Sequence, residues 1–364
     1  MRNIIIVLVM APLLLFAVIP MGAAAESSGE EAEIAQQMND ILEESDIGYD
    51  YGELGELSFG GLMRYVRETA AARAAAPVKM LGLLVALAVF TAVMRGAGES
   101  AFPDTSQSKV YDMVCVMAAV TVIAPQLMSV YSGALEAVER VGGFVALFVP
   151  VFAGITIASG GAASGGLYNL MILGASEVIV GLSRSYLMPV LSMTAVLAIS
   201  CSVFTNASVE GLVGLIKKTV TWCMTVVMTL FTGFVTMKCT LAGKADGVAT
   251  KAAKFVFSGF IPIVGGAVSD AYSTVRSSFD VIRSTVGAAG MAAVLFILLP
   301  PVLEILIFRG VMWIGAATAD MFGAAPLTKL LSGVDSGLAI AQSVLICYGI
   351  MFTICTGILI QTAG

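Results

Sequence analysis

The sequence contains no histidine, and only 12% of its 364 residues are charged. The absence of histidine excludes Ser–His–Asp and Cys–His nucleophilic sites, HExxH zinc sites, and haem or copper sites with histidine ligands. Soluble domains carry about 25% charged residues, whereas here 58% of residues are hydrophobic and the mean hydropathy is +0.96. A chain of this length cannot cover a water-facing surface with so few charges, so we expect it to reside in a lipid bilayer.

Several other motifs are also missing from the sequence. No G-x-x-x-x-G-K-[ST] loop occurs, which argues against an ATP-driven motor. The six cysteines form no C-x-x-C pair and lie in or beside apolar runs, where cysteine packs as a small hydrophobe. The sequence contains no stripe of basic residues with interleaved aromatic residues, so nothing in it indicates nucleic-acid binding. We therefore predict no catalytic residue, no metal site and no cofactor.

The N-terminal residues have the pattern of an export signal. Arg2 precedes an apolar run from Ile4 to Ile19, and the small residues 23–25 follow it. This order is typical of a secretory signal peptide, here residues 1–25, with an uncleaved anchor helix as the alternative. Both interpretations place the chain from Glu26 onward outside the cytoplasm.

An acidic segment follows, which we take as an exported segment over residues 26–76. Residues 26–56 contain eleven acidic residues and no basic residue, so the formal net charge of −6 arises there. Apolar residues at helical spacing predict an exposed amphipathic helix, with a solvated spacer as the alternative: Ile34, Met38, Ile41 and Leu42. A second amphipathic stretch, Leu62 to Ala76, leads into the first membrane span.

Long apolar runs predict an all-α, polytopic membrane domain over residues 77–364. Five runs approach or exceed the ~17–25 residues that cross a bilayer: 78–94, 110–131, 219–241, 287–308 and 338–360. The region 168–204 is longer than one span, so it is either one tilted span with an interfacial helix or a hairpin of two. Two shorter runs, 144–158 and 255–268, contain proline and glycine and are typical of re-entrant or broken helices. The expected total is six to eight spans.

A motif recurs at an offset of 112 residues. Phe148-Val149-Pro150-Val151-x-x-Gly154 reappears as Phe260-Ile261-Pro262-Ile263-x-x-Gly266, and the same offset aligns Pro189 with Pro301. This pattern predicts a duplication, with repeats over 107–218 and 219–330, and chance similarity in a chain rich in Val, Leu and Gly is the alternative.

Repeats with broken helices are typical of transporters and channels. The paired motifs therefore supply candidate residues for a polar path or a subunit interface, with a packed helix kink as the alternative: Phe148, Pro150, Gly154, Phe260, Pro262 and Gly266.

Two carboxylates, Glu177 and Glu304, lie within apolar runs, where ionisable groups are costly and often functional. They are candidates for an ion or proton path, and Arg184, two helical turns after Glu177, is favoured as an interfacial or interhelical partner.

The charges flanking the spans do not agree on one orientation. Lys217 and Arg309 fall on the side that the positive-inside tendency expects, whereas Lys244 and Lys251 fall on the other. Because the orientation is weakly encoded, we expect insertion to depend on a dedicated insertase.

The C-terminal half carries a run that resembles a known family. The run is Lys251-Ala-Ala-Lys254-Phe255-Val256-x-x-x-Phe260-Ile261-Pro262-Ile263-Val264-Gly265, followed by Ser269-Asp270-Ala271 and Val286-Gly287-x-x-Gly290. It resembles the stage III sporulation protein AE family of endospore-forming bacteria. The resemblance covers most of the chain and is densest from Lys244 to about Ser332.

The resemblance implies a sporulation function. It implies a non-enzymatic, multi-span component of a channel-like complex between mother cell and forespore, required for forespore development. The expected partners are the other proteins of the stage III sporulation A complex, a forespore membrane partner, further copies of the chain and a YidC/Oxa-type insertase. The expected location is the mother-cell membrane around the forespore, and the family provides no catalytic residues. The alternative is a stand-alone secondary transporter that uses Glu177 or Glu304 for ion coupling.

Overall fold

A computed structural model of the protein describes residues 29–44, 59–101, 106–203, 207–260 and 265–362. Every regular element in these ranges is helical, as predicted: α1 Gly29–Glu44, α2 Phe59–Ala101, α3 Ser106–Ala158, α4 Ala162–Leu182, α5 Met188–Val203, α6 Ala207–Phe260, α7 Gly265–Met321 and α8 Ala325–Thr362. A π-helical turn, Ser183–Leu187, joins α4 to α5.

Six stretches in the described ranges are long and apolar enough to cross a membrane: Gly60–Met94, Val110–Ala158, Ala162–Val203, Gly214–Ala252, Ser273–Met321 and Ala325–Gln361. This confirms a polytopic all-α protein and gives the lower end of the predicted six to eight spans. Helices α3, α6 and α7 contain 53, 54 and 57 residues. Because the ~30 Å hydrocarbon core takes about 20 residues, these helices extend well beyond it.

The first short proline-containing element, residues 144–158, is not re-entrant. It forms the last part of α3, which continues through Pro125 and Pro150 to Ala158. The expectation of a broken helix was wrong because a proline removes only one helical hydrogen bond, a loss that neighbouring helices can offset. The apolar side chains of this part of α3 pack along a continuous face.

The second element, residues 255–268, is described only in part. Helix α6 ends at Phe260 and α7 begins at Gly265, and Pro262 lies outside the described residues. The duplication of 107–218 and 219–330 stays a prediction.

The region 168–204 forms one helical run rather than a hairpin. Helix α4 passes through the π-helical turn into α5, and Pro189 is the second residue of α5. Proline cannot donate to the carbonyl four residues earlier, at Ser185, so the helix widens there.

Two glycines with positive φ make the described tight turns between helices. Gly160, with φ 90°, separates α3 from α4, and Gly323, with φ 71°, separates α7 from α8. Side chains with a Cβ rarely adopt this left-handed region, so glycine is required at both turns. The turns fold α4 back on α3 and α8 back on α7.

Helix α2 runs parallel to α7 along its length. Tyr65 packs edge-on against Phe296, and eight residues further along both helices Arg73 pairs with Glu304, so the same separation of 231 residues is kept. Helix α7 also packs against α3 and α8, so it lies at the centre of the bundle.

The structure describes part of the N-terminal region for which the sequence makes predictions. The predicted amphipathic helix is α1, and it packs against α3 and α7 with Met38 and Leu42 fully buried. The second amphipathic stretch is continuous with the first span in α2, which passes through Pro77 without a break. The signal peptide over residues 1–25 lies outside the described residues and stays a prediction.

Candidate functional site

Phe148, one of the predicted site residues, belongs to an aromatic ladder in the bundle core. Phe144, Phe148 and Phe152 are spaced by four residues on one face of α3, and their rings stack at centroid distances of 5.3 Å. Phe352 of α8 meets Phe148 edge-on at 5.9 Å, and Tyr168 of α4 meets Phe152 at 5.5 Å. The ladder joins three helices and offers no polar surface, so Phe148 is a packing residue.

The glycines of the Val286-Gly287-x-x-Gly290 motif accommodate this ladder. A Cβ added at Gly290 would overlap the ring of Phe148, and one added at Gly287 would come within 2.9 Å of the ring of Phe152. Gly287 and Gly290 therefore form a groove on α7 that admits the rings of α3. Close helix approach is the usual role of such small residues in membranes.

The other candidates from the paired motifs are not brought together. Pro150 and Gly154 are exposed on α3. Phe260 is the last residue of α6, Gly266 is the second residue of α7, and Pro262 lies outside the described residues. No polar path is formed by these six residues in the described part of the chain.

Glu304 is neutralised by an ion pair, whereas Glu177 is not. Glu304 accepts a charge-assisted hydrogen bond from Arg73 of α2, and both side chains are partly exposed. Glu177 is exposed on α4. Arg184 pairs with Glu139 of α3 at 2.9 Å rather than with Glu177, so the interhelical role favoured for Arg184 is the one observed.

Asp246 anchors α6 to the turn between α3 and α4. Its two carboxylate oxygens accept hydrogen bonds from the backbone N–H groups of Ala163 and Ser164, each at 2.9 Å. These groups belong to the first turn of α4, where N–H groups have no intrahelical partner and the helix dipole is positive. Asp246 is buried, so the carboxylate acts as a helix cap supplied by a distant helix.

Arg283 of α7 binds the same turn from the other side. Its side chain is only 2% exposed, donates to Ser159 Oγ and to the Ile360 carbonyl at 3.2 Å, and pairs with Asp280 at 3.2 Å. Ser159 and Ile360 lie at the C-terminal ends of α3 and α8, where a cation complements the helix dipole. We call the residues Ser159, Ser164, Asp246, Asp280 and Arg283 the polar clasp.

A third ionic cluster lies between α7 and α8. Arg309 donates to Asp335 at 2.7 Å and to Gln342 at 2.6 Å, and its guanidinium lies 5.2 Å from the Trp313 ring centroid. Arg309 and Asp335 are each 13% exposed. A buried pair with these additional contacts is fully partnered, which is how charges are tolerated inside a membrane.

The polar clasp and the Arg309 cluster were not found from the sequence. Asp246 and Ser164 are 82 residues apart, and Arg309 and Asp335 are 26 apart, so no local spacing links them. The only available signal was a charged residue within an apolar run, which identified Glu304 but neither Arg283, which precedes the run 287–308, nor Arg309, which follows it directly.

Two further features of the described residues concern the binding of metals and small molecules. They contain no group of three or more acidic, cysteine or histidine side chains that could hold a metal. A cavity of about 200 Å³ lies between α3, α5 and α8, and its lining is apolar apart from Ser192. Such a cavity fits a hydrocarbon chain rather than a polar substrate.

Comparison with known proteins gives one consistent result. The sequence model of the stage III sporulation protein AE family matches residues 50–363. The chain is 25% identical over 286 residues to stage III sporulation protein AE of Bacillus subtilis (strain 168), which covers 79% of this chain and 71% of the relative. No solved structure matches the chain. Both descriptions name a stage of sporulation, and neither names a reaction.

Proposed function

The chain belongs to the stage III sporulation protein AE family, and on that premise we propose that it is the multi-span component of a channel-like transport complex between mother cell and forespore. In this proposal it has no catalytic role, resides in the mother-cell membrane around the forespore, and is required for forespore development. Its partners are the other proteins of the stage III sporulation A complex and a forespore membrane protein.

The observation that carries the proposal is the family match over residues 50–363, joined to a bundle with six stretches long and apolar enough to cross a membrane in its described part. Asp246, Arg283 and Arg309 each make polar contacts with a neighbouring helix or turn, in the polar clasp and in the Arg309 cluster. Charges used in this way fix helices in place, as a conduit wall or scaffold requires.

The exported acidic segment supports a contact with partner proteins. Helix α1 is anchored to the bundle through Met38 and Leu42, while its acidic side chains Asp40 and Glu43 are exposed. In the proposal this segment lies outside the cytoplasm after removal of residues 1–25 and faces a basic or amphipathic partner surface. At physiological salt only short-range contacts of this kind are effective.

Insertion by a YidC/Oxa-type insertase is part of the proposal. The flanking charges give conflicting orientations, and several long helices carry charges within their apolar lengths, such as Arg283 in α7. Depletion of the insertase should reduce the amount of chain in the membrane, and insertion that proceeds unchanged would contradict this part.

The function is tested by deleting the gene in the organism that encodes the chain. We expect sporulation to stop after engulfment, with loss of forespore integrity and late forespore gene expression, and to be restored by the wild-type copy. Normal numbers of heat-resistant spores from the deletion strain would overturn the proposal.

The transporter alternative makes a different prediction. A stand-alone transporter should move solute in proteoliposomes without other proteins, and Glu304→Gln should abolish its ion coupling. We expect the purified chain to be inactive alone, because Glu304 is held by Arg73 rather than left free to bind an ion.

A further inference from the structure

A narrow apolar groove lies between α3 and α5, and α8 forms its floor. Its volume is about 200 Å³, and we call it the α3–α5 groove. The floor consists of Leu330 and Val334, which are 1% and 2% exposed, whereas Met128 and Val196 at the rim are 45% and 61% exposed. The groove therefore runs from the outer surface of the bundle down to its buried core.

Small side chains account for the shape of the groove. Helix α8 lies close against α5, because a Cβ added at Gly333 would overlap the Cβ of Ala198. This close approach closes the floor. Ala124 of α3 and Ala195 of α5 line the groove, and their methyl groups are too short to fill the space between the two helices. The chain thus leaves a gap between α3 and α5 that its own side chains do not occupy.

The groove lies within the membrane-crossing lengths of α3 and α5. Both helices belong to stretches long and apolar enough to span a bilayer, Val110–Ala158 and Ala162–Val203. Residues 113–135 of α3 and 185–203 of α5 contain no charged residue. The groove occupies residues 120–128 of α3, a length of about 12 Å at 1.5 Å per residue. An uncharged stretch of this kind lies among the acyl chains of a bilayer rather than in water.

The size of the groove distinguishes between a lipid chain and a partner helix. An α-helix with its side chains is about 10–12 Å in diameter, so a 12 Å length of it occupies roughly 1,000 Å³. This is about five times the volume of the groove, so a helix cannot reach the floor. A hydrocarbon chain is thinner and needs no hydrogen bonds, and Ser192 is the single polar residue in the lining. A gap left empty would deprive its apolar lining of dispersion contacts.

We infer that the α3–α5 groove binds one acyl chain of a bilayer phospholipid, which lies along the two helices and reaches the floor at Leu330 and Val334. The bound chain supplies packing contacts that α3 and α5 do not make with each other at this depth. The inference does not rest on the proposed function, since it concerns the surface that one chain presents to its own membrane.

Photolabelling of the reconstituted wild-type protein tests the inference. The vesicles contain phosphatidylethanolamine and phosphatidylglycerol, with a small fraction of phosphatidylethanolamine that carries a diazirine in the middle of one acyl chain. Met128 at the rim is compared with Met193, which is 53% exposed on α5 and does not line the groove. Tyr131 and Thr194 both lie against Gly337, so the two methionines differ in depth by only about 6 Å.

We expect severalfold more lipid adducts at Met128 than at Met193 when the labelled peptides are mapped by mass spectrometry. The two residues have the same side chain and similar exposure, so bulk lipid alone would label them to similar extents. Equal labelling would overturn the inference. This comparison needs no substitution, so it does not depend on the folding of a variant.

Filling the groove provides a second test. Ala195→Trp places a large side chain in the groove, whereas Ala86→Trp places the same side chain on an exposed position of the α2 span. Native mass spectrometry of the detergent-purified proteins should show one retained phospholipid on the wild type and on Ala86→Trp. Ala195→Trp should lose it while keeping a cooperative thermal transition. Equal retention by the folded Ala195→Trp variant would overturn the inference.

A protein occupant is tested in sporulating cells. Cells grown with photo-methionine, a diazirine analogue of methionine, carry the photoreactive group at residue 128, and irradiation joins it to whatever fills the rim. Phospholipid adducts at this residue support the inference, and adducts to another protein would overturn it. Lipid adducts in a strain whose deletion leaves sporulation normal would overturn only the sporulation role.

Discussion

The carboxylate of Asp246 lies 2.9 Å from the backbone nitrogen of Ser164, which is in the first turn of α4, 82 residues earlier in the chain. This cap contributes more to holding α6 against the bundle than a helix cap usually does, because α6 buries little apolar surface. A second polar contact, from Arg276 of α7 to Thr250, joins α6 to the bundle one turn further on. The position of α6 in the bundle therefore depends in large part on a few polar contacts at one end of the helix.

Asp246→Ala should loosen α6 from the bundle. Loss of a capping carboxylate costs about 1–2 kcal/mol, and the thermal midpoint of the detergent-purified protein should fall by several degrees. The matched control is Asp320→Asn on α7, an exposed acid that caps no other helix, and it should leave the midpoint unchanged. Equal midpoints for both variants would show that the cap does not hold α6.

The single variant Arg283→Met should lower the stability of the protein more than the double variant that also removes the charge of Asp280. The single change leaves Asp280 and the Ser159 turn without their cation, and because the Asp280 side chain is 30% exposed the loss should be smaller than the ~3–5 kcal/mol for breaking a fully buried pair. The double variant Arg283→Met/Asp280→Asn removes both charges and should recover part of the loss. A double-mutant cycle on thermal midpoints measures this, and strictly additive effects would contradict an interaction between the two residues.

Gly290→Ala should destabilise the bundle through the aromatic ladder. The added methyl group meets the ring of Phe148, and overpacking of this kind costs about 1–3 kcal/mol. Phe148→Leu in the same chain should restore part of the stability by making room. Gly154→Ala is the control, since nothing lies within 4 Å of its Cβ position, and it should be neutral or slightly stabilising. Equal effects at Gly290 and Gly154 would exclude the groove.

Glu304 should contribute to protein stability, and through it to spore formation, by its ion pair with Arg73. Glu304→Gln should lower protein stability modestly, because the pair is partly exposed. The charge swap Arg73→Glu/Glu304→Arg should restore stability and spore formation together. Glu177→Gln should leave spore counts normal, and a defect there, or failure of the swap despite restored stability, would favour ion coupling by these carboxylates.

The sequence predicted the spans well because apolar length is a local property. Runs such as 110–131 and 338–360 fall inside α3 and α8, and the four residues of the predicted amphipathic helix fall in α1. Pro150 led to a wrong expectation of a break, although Phe144, Phe148 and Phe152 at spacings of four already indicated an uninterrupted helix. Proline content alone does not locate a break in a membrane helix whose neighbours stabilise it.

The candidate site was harder to predict from the sequence than the spans were, because its residues are far apart in the chain and meet only in the folded protein. Glu304 was identified as a carboxylate in an apolar run, but its partner Arg73 is 231 residues away and belongs to a parallel, non-sequential helix. Asp246 gave no signal, since a lone aspartate beside Lys244 is typical of a solvated helix end.

The central claim, membership in a sporulation transport complex, is tested most directly by affinity purification of the tagged chain from sporulating cells in mild detergent, with mass spectrometry of the proteins that accompany it. The account predicts that other proteins of the stage III sporulation A complex and a forespore membrane partner co-purify in amounts comparable to the chain, and that they are absent from vegetative cells expressing the same tagged chain. Recovery of the chain without these proteins from cells at the engulfment stage would contradict it.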